Sequence, residues 1–138
     1  METPAPAPVP AASSALSEYL VLSRGQWDPS LPPERIQAAI DHFYQWLEDK
    51  VEAGQMRTGQ RLGIGGSTVT HSRITDGPFG ETKELIGGYW FILASSQEEA
   101  AQIAAENPCL QCGLFYEIRP IETVRASAYE VTNETPGR

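Results

Sequence analysis

Residues 89–94 read Tyr-Trp-Phe-Ile-Leu-Ala, six apolar residues in a row between Gly87-Gly88 and Ser95-Ser96. The length, the aromatic content and the flanking glycines and serines predict a strand. Successive side chains of a strand point to opposite faces. Tyr89, Phe91 and Leu93 then share one face, and Trp90, Ile92 and Ala94 share the other. An antiparallel sheet with one wet side would alternate apolar and polar residues. This strand does not alternate, so both of its faces need cover.

Other segments supply the rest of a sheet and part of that cover. Residues 18–24 (Glu-Tyr-Leu-Val-Leu-Ser-Arg) are short and apolar and predict a first strand, with Tyr19 and Val21 facing opposite to Leu20 and Leu22. Pro32-Pro33 opens a helix, where a missing N–H does no harm, with Ser30 as its candidate cap. The helix runs to Ala53 and stops at Gly54. Ile36, Ile40, Phe43, Leu47 and Val51 recur on one stripe, which should face the core, with Trp46 at its edge.

Residues 55–62 read as a short extended piece, and residues 67–75 as a strand rich in Thr, Val and Ile. A second helix opens at Ser95-Ser96, where Ser96 and Glu99 fit a Ser-x-x-Glu capping box, and ends near Asn107-Pro108. Residues 113–121 form a last strand, with Pro120 marking an edge or an end. The order is βαββαβ. It predicts an α+β fold, ferredoxin-like, with an antiparallel sheet carrying two helices on one face. Two helices leave the second apolar face bare. A twofold homodimer joined sheet to sheet is the economical cover.

The chain has 138 residues, which suits one domain. Residues 1–17 are rich in Pro, Ala and Ser and read as a disordered tail, residues 18–122 as the domain, and residues 123–138 as a polar C-terminal tail. The formal charge is −8, which repels a phosphate backbone and argues against direct nucleic-acid binding. No apolar run is long enough to span a membrane, and the first residues lack the pattern of a secretion signal. The expected location is the cytoplasm.

No cofactor or metal is expected. Cys109 and Cys112 form a lone Cys-x-x-Cys, and His42 and His71 lie on distant segments. A redox pair usually opens a helix, whereas this one follows one, so the cysteines read as small loop residues. Gly63-Ile64-Gly65-Gly66 leads into a strand, not into the helix that a phosphate loop requires.

The candidate site centres on Thr75-Asp76-Gly77-Pro78-Phe79. Residues 76–86 make an 11-residue connection where a hairpin needs about two to five. Gly77-Pro78 would fix the direction of Asp76, and Phe79 would anchor the loop. Asp76 is either a turn aspartate accepting backbone N–H groups or a carboxylate at a pocket mouth, acting as general base or proton relay. A base needs a partner. His42 is one candidate, on the helix flank with Arg35, Trp46 and Asp49; His71 is the other, on the strand feeding the loop. Arg24 and Arg73 are candidates to hold an anionic ligand, or to pair with local carboxylates. Trp46 is the aromatic candidate for ligand contact, although the tryptophans as a set read as core or rim.

Thr75-Asp76-Gly77-Pro78-Phe79, Glu81-Thr82-Lys83-Glu84 and Gly87-Gly88-Tyr89 together resemble the YCII-related family in its DGPF branch. Weaker matches are Leu31-Pro32-Pro33-Glu34, Ala53-Gly54, Gly59-Gln60-Arg61-Leu62 and Glu117-Ile118-Arg119-Pro120-Ile121. The resemblance implies ferredoxin-like units paired into a dimeric α/β barrel. It also implies a pocket with a histidine and aspartate pair, in which Asp76 takes the aspartate position. The histidine belongs on the first helix, 11 residues before its closing glycine; counting back from Gly54 reaches Phe43, with His42 beside it. Two functions follow as expectations. One is small-molecule binding near Asp76, with cofactor-independent proton transfer or hydrolysis if the ligand is turned over. The other is a non-catalytic interaction module linked to sigma factors and transcriptional regulation.

Overall fold

The computed structural model describes residues 15–76 and 85–137. In chain order it contains β1 (Ser17–Gly25), α1 (Pro33–Glu52), β2 (Met56–Arg61), β3 (Ser67–Val69), β4 (Ile74–Asp76), β5 (Ile86–Ala94), α2 (Gln97–Ala104), a short 3-10 helix (Pro108–Cys112) and β6 (Leu114–Pro120). Four strands form one antiparallel sheet in the order β2–β5–β1–β6. The apolar strand β5 is internal, bonded to β1 on one side and β2 on the other. The four sheet strands and two helices follow βαββαβ, with the first and third sheet strands central. That is the ferredoxin-like arrangement.

Local chemistry sets the boundaries. Pro32 occupies the cap position of α1, Glu34 lies in its first turn and Lys50 in its last, both favourable to the helix dipole. Gly54, at φ +78°, takes the left-handed conformation that closes the helix. Gln55 O then accepts from Leu93 N at 2.8 Å, which delivers β2 to the edge of β5. In α2, Ser96 Oγ accepts from Glu99 N at 3.1 Å, as the capping box requires. The Glu99 carboxylate reaches back one residue further than expected, to the N–H and hydroxyl of Ser95 at 2.7 and 2.9 Å. Those two donors hold its carboxyl below the usual range.

Both helices pack on one face of the sheet. Leu47 of α1 and Ala100, Ile103 and Ala104 of α2 share a core with Tyr19, Val21, Met56, Trp90, Ile92 and Ala94. Val21 and Ile92 have no exposed surface. The opposite face carries Leu20, Leu22, Tyr89, Phe91 and Leu93, all half-buried. Leu20 stands opposite Phe91, and Leu22 opposite Tyr89. Charges border this apolar face. Arg57 pairs with Glu18 and lies over the Phe91 ring, 4.4 Å from its centroid. Arg24 and Arg119 both pair with Glu117, at 2.5 and 3.0 Å.

Four local expectations change. Residues 67–75 do not form a sheet strand. β3 and β4 make a separate two-stranded hairpin, and β2 takes the sheet position instead. The reason lies in the turns. Gly54 sends β2 straight back along β5, and Gly65 and Gly66, both at positive φ, lead the chain away afterwards. Ser30 does not cap α1; its N–H and hydroxyl donate to Asp28 Oδ1 at 2.9 and 2.7 Å, which holds the Asp28 carboxyl low. The α1 stripe is deepest at Leu47, half-buried at Ile36, Ile40 and Phe43, and exposed at Val51, where the helix is about to end. Finally, α2 stops at Ala104, so the two cysteines belong to a capped 3-10 helix and not to a loop.

Residues 1–14 of the expected N-terminal tail lie outside the described residues, while Ser17 already belongs to β1. Residues 121–137 contain no helix or strand, and Tyr129 in that segment is almost fully exposed. Among the described residues no helix is long and apolar enough to cross a membrane.

Candidate functional site

The first half of α1 lies against the 3-10 helix, and a hollow of about 200 Å³ opens between them. Arg35, Ala38, Ala39 and His42 line it from α1, at spacings that share one helix face. Pro108, Gln111 and Cys112 line it from the other side. The alanines leave room for this approach, and the Cys109 thiol donates to Ala39 O at 3.7 Å. The hollow therefore has two cationic or titratable side chains, one amide and a buried thiol around it. Such a set suits a small polar or anionic molecule. A second hollow of about 410 Å³ lies where β1 begins and β6 ends, lined by Leu16, Ser17, Glu18, Ile121 and Thr123. It is larger but offers a single carboxylate, so the first is the better chemical candidate.

Beneath the first hollow is a buried polar cluster. Asn107 and Ser23 are almost fully enclosed, as are both cysteines. Asn107 Oδ1 accepts from Cys109 N at 2.8 Å and so starts the 3-10 helix. The Tyr116 hydroxyl lies close to Cys109, Ser23 and Asn107 within the group. Burial, with Cys109 beside it, holds the Tyr116 phenol well above its ordinary range. Burial also pushes the Cys109 thiol up to about 11, with Cys112 adding to the effect and Tyr116 opposing it.

The Cys109 thiol is set up for packing, not for nucleophilic attack. A thiol raised by about two units has roughly 100-fold less thiolate near neutral pH. Alkylation of Cys109 in the folded protein at pH 8 should therefore run about 100-fold slower than in the urea-unfolded chain. Equal rates would contradict the burial. Because the folded Cys109 pKa lies above the ordinary 9.0, the stability it contributes is intact below about pH 9 and declines as pH rises toward 11.

Asp76 ends β4 and is exposed. It stands opposite Ser67, whose hydroxyl donates to its Oδ1 at 3.4 Å. His71 and Arg73 lie in the tight turn of the same hairpin, where Thr70 N donates to Arg73 O at 2.9 Å; both are exposed. Three of the six expected site residues thus share one hairpin, while His42 stands on α1. Among the described residues neither histidine bonds to Asp76. Gly77, Pro78 and Phe79, expected to direct Asp76, and the charged Glu81, Lys83 and Glu84 lie outside the described residues.

The two remaining expected residues have partners. Arg24 Nε donates to Leu85 O at 3.0 Å and its Nη1 to Glu117, so it ties the start of β5 to β6. Trp46 Nε1 donates to Glu106 at 3.1 Å, and Lys50 joins the same carboxylate at 2.9 Å. Lys50 first, and Trp46 second, hold the Glu106 carboxyl low. Among the described residues no group of three or more His, Cys, Asp and Glu side chains could hold a metal ion.

The sequence shows Arg35 as a flank neighbour of His42, seven residues away, but sequence reasoning missed Gln111 and Cys112, because nothing in Pro-Cys-Leu-Gln-Cys states which helix it will touch.

No curated protein matches the chain. Two solved structures are similar over most of its length. One is the 5-chloro-2-hydroxyhydroquinone dehydrochlorinase of Burkholderia phenoliruptrix, in complex with 2,5-dihydroxybenzoquinone, at 17% identity and TM-score 0.39, covering 72% of this chain and 90% of that one. The other is a dimeric protein of unknown function with a ferredoxin-like fold from Bacteroides fragilis, at 11% identity and TM-score 0.37, covering 77% and 96%. Likenesses this distant carry no argument about chemistry. The family profile is decisive: the YCII-related domain matches residues 18–125, from β1 through β6. The chain belongs to the YCII-related domain family.

Proposed function

We propose that this chain, a DGPF-type member of its family, is a cytoplasmic homodimer that binds a small polar molecule in the hollow beside His42. The observation that carries the reading is the convergence of His42, Arg35 and Gln111 on one hollow floored by Cys112. The half-buried apolar sheet face supports the pairing, since a second copy supplies the cover that the helices give the other face.

Asp76 is less favoured as the reacting group. Proton transfer or hydrolysis with Asp76 as base needs a titratable partner, and its hydrogen-bond partner is the Ser67 hydroxyl. The second reading is an interaction module without catalysis, tied to transcriptional regulation.

A metabolite library screened by thermal shift separates these readings, because a ligand of the folded state raises its melting point. A compound that stabilises the wild type should bind His42→Ala about 10–100-fold more weakly and Asp76→Asn unchanged. The reverse pattern would return the site to Asp76. A library without a single stabilising compound would favour the interaction module.

A further inference from the structure

We propose that the interior beside Trp90 is a binding site for one water molecule, which links the Trp90 indole N–H to the polar cluster of Ser23, Asn107, Cys109 and Tyr116. The inference does not depend on the ligand reading above. Trp90 is 9% exposed, and among the described residues its buried Nε1 has no hydrogen-bond acceptor. Trp46, by contrast, gives its indole proton to Glu106. A buried donor left unmet is destabilising, so native interiors supply a partner, commonly an ordered water.

The sheet register brings the groups together. Ser23 stands between Gly88 of β5 and Tyr116 of β6. Trp90 is two residues along from Gly88, on the same face, one row from Ser23. Gly88 adds no side chain between them. The Trp90 and Tyr116 rings are neighbours, with centroids 5.5 Å apart. The indole ring therefore packs beside the tyrosine whose hydroxyl lies among Ser23, Asn107 and Cys109, groups that are themselves enclosed.

The chemistry of the cluster selects the occupant. An indole N–H is a donor only, so it repels a cation. No charged side chain belongs to the cluster, and burial would penalise an anion. Water both accepts from the indole and donates to the oxygen lone pairs of Ser23 and Tyr116. Buried waters typically make about three such bonds.

Water-selective nuclear Overhauser measurements on the ¹⁵N-labelled full chain test the site. The protein has three tryptophans, so Trp27→Phe and Trp46→Phe each remove one indole signal and leave the Trp90 signal identified. The Trp90 indole proton should show a cross-peak to water, with the sign of a molecule held longer than the protein's tumbling time. Tyr116→Phe keeps the ring and removes the hydroxyl, and should weaken that cross-peak at least severalfold. Ser23→Ala should do the same if Tyr116→Phe does not fold. Absence of the cross-peak in the wild type would overturn the proposal. An upfield-shifted indole proton would then identify the Phe43 ring, 5.1 Å away by centroid, as the acceptor. A cross-peak unchanged in the hydroxyl variants would also overturn it, by placing the water away from the cluster.

Discussion

In the proposed homodimer, Leu20→Glu should shift the protein from a dimer to a monomer without unfolding it. Leu20 sits in the middle strand pair of the apolar sheet face, opposite Phe91 on β5 and Arg119 on β6. In a single chain a glutamate there meets water and the Arg119 guanidinium. Between two apolar faces the same carboxylate loses its hydration, and twofold symmetry repeats the loss in the second copy. Association should weaken by at least about 100-fold, the effect of disrupting one central contact of an interface. Sedimentation across a concentration series reads the association, and far-ultraviolet circular dichroism verifies the fold. A variant that assembles like the wild type would show that this face is not the interface.

Ile92→Ala should produce the largest loss of stability of any single substitution considered. Ile92 has no exposed surface and stands between Tyr19 of β1 and Met56 of β2 in the sheet register. Truncation removes buried methyl groups and leaves a cavity that a three-strand interior cannot close. Such substitutions cost about 2–5 kcal/mol. For a domain of this size the melting temperature should fall by about 10 °C or more. Denaturant unfolding gives the free energy directly, and a loss below about 1 kcal/mol would contradict the packing described for the helix-side core. The same truncation at Leu93, on the opposite face, should cost the isolated chain less, because Leu93 is half-buried there.

The strand framework was legible because its signals are local. Tyr89 through Ala94 could only be a strand, Pro33 and Gly54 bracket a helix, and Ser96 with Glu99 announces a cap. The face assignment along β1 and β5 also follows from period two alone. The choice of sheet partner was not local. Residues 67–75 have better strand composition than Met56–Arg61, yet β2 wins the place beside β5 through the turn at Gly54 and the Gln55–Leu93 hydrogen bond. At Gly59 an added Cβ would meet the Tyr89 carbonyl oxygen at 2.1 Å, so β2 approaches β5 more closely than any side chain would allow. Period and propensity do not report such a contact.

The site was less legible than the fold. Asp76, His71 and Arg73 are near one another in sequence, and the hairpin keeps them so. His42 was identifiable as a flank residue of α1. Its neighbours across the hollow come from the 3-10 helix, whose position depends on Asn107 capping Cys109 and on Cys109 meeting Ala39. Arg24 and Trp46 carry charge and aromatic surface that suit a ligand. Their observed partners, Glu117 and Glu106, lie more than fifty residues away in the chain, beyond the reach of any spacing rule.

Light scattering of the wild-type protein over a micromolar concentration range is the most direct measurement of whether a second copy covers the apolar sheet face. The pairing requires a mass twice that of the 15.1 kDa chain, stable on dilution through that range. A mass of one chain at every concentration would leave Leu20, Leu22, Tyr89, Phe91 and Leu93 facing water, and would contradict the dimer.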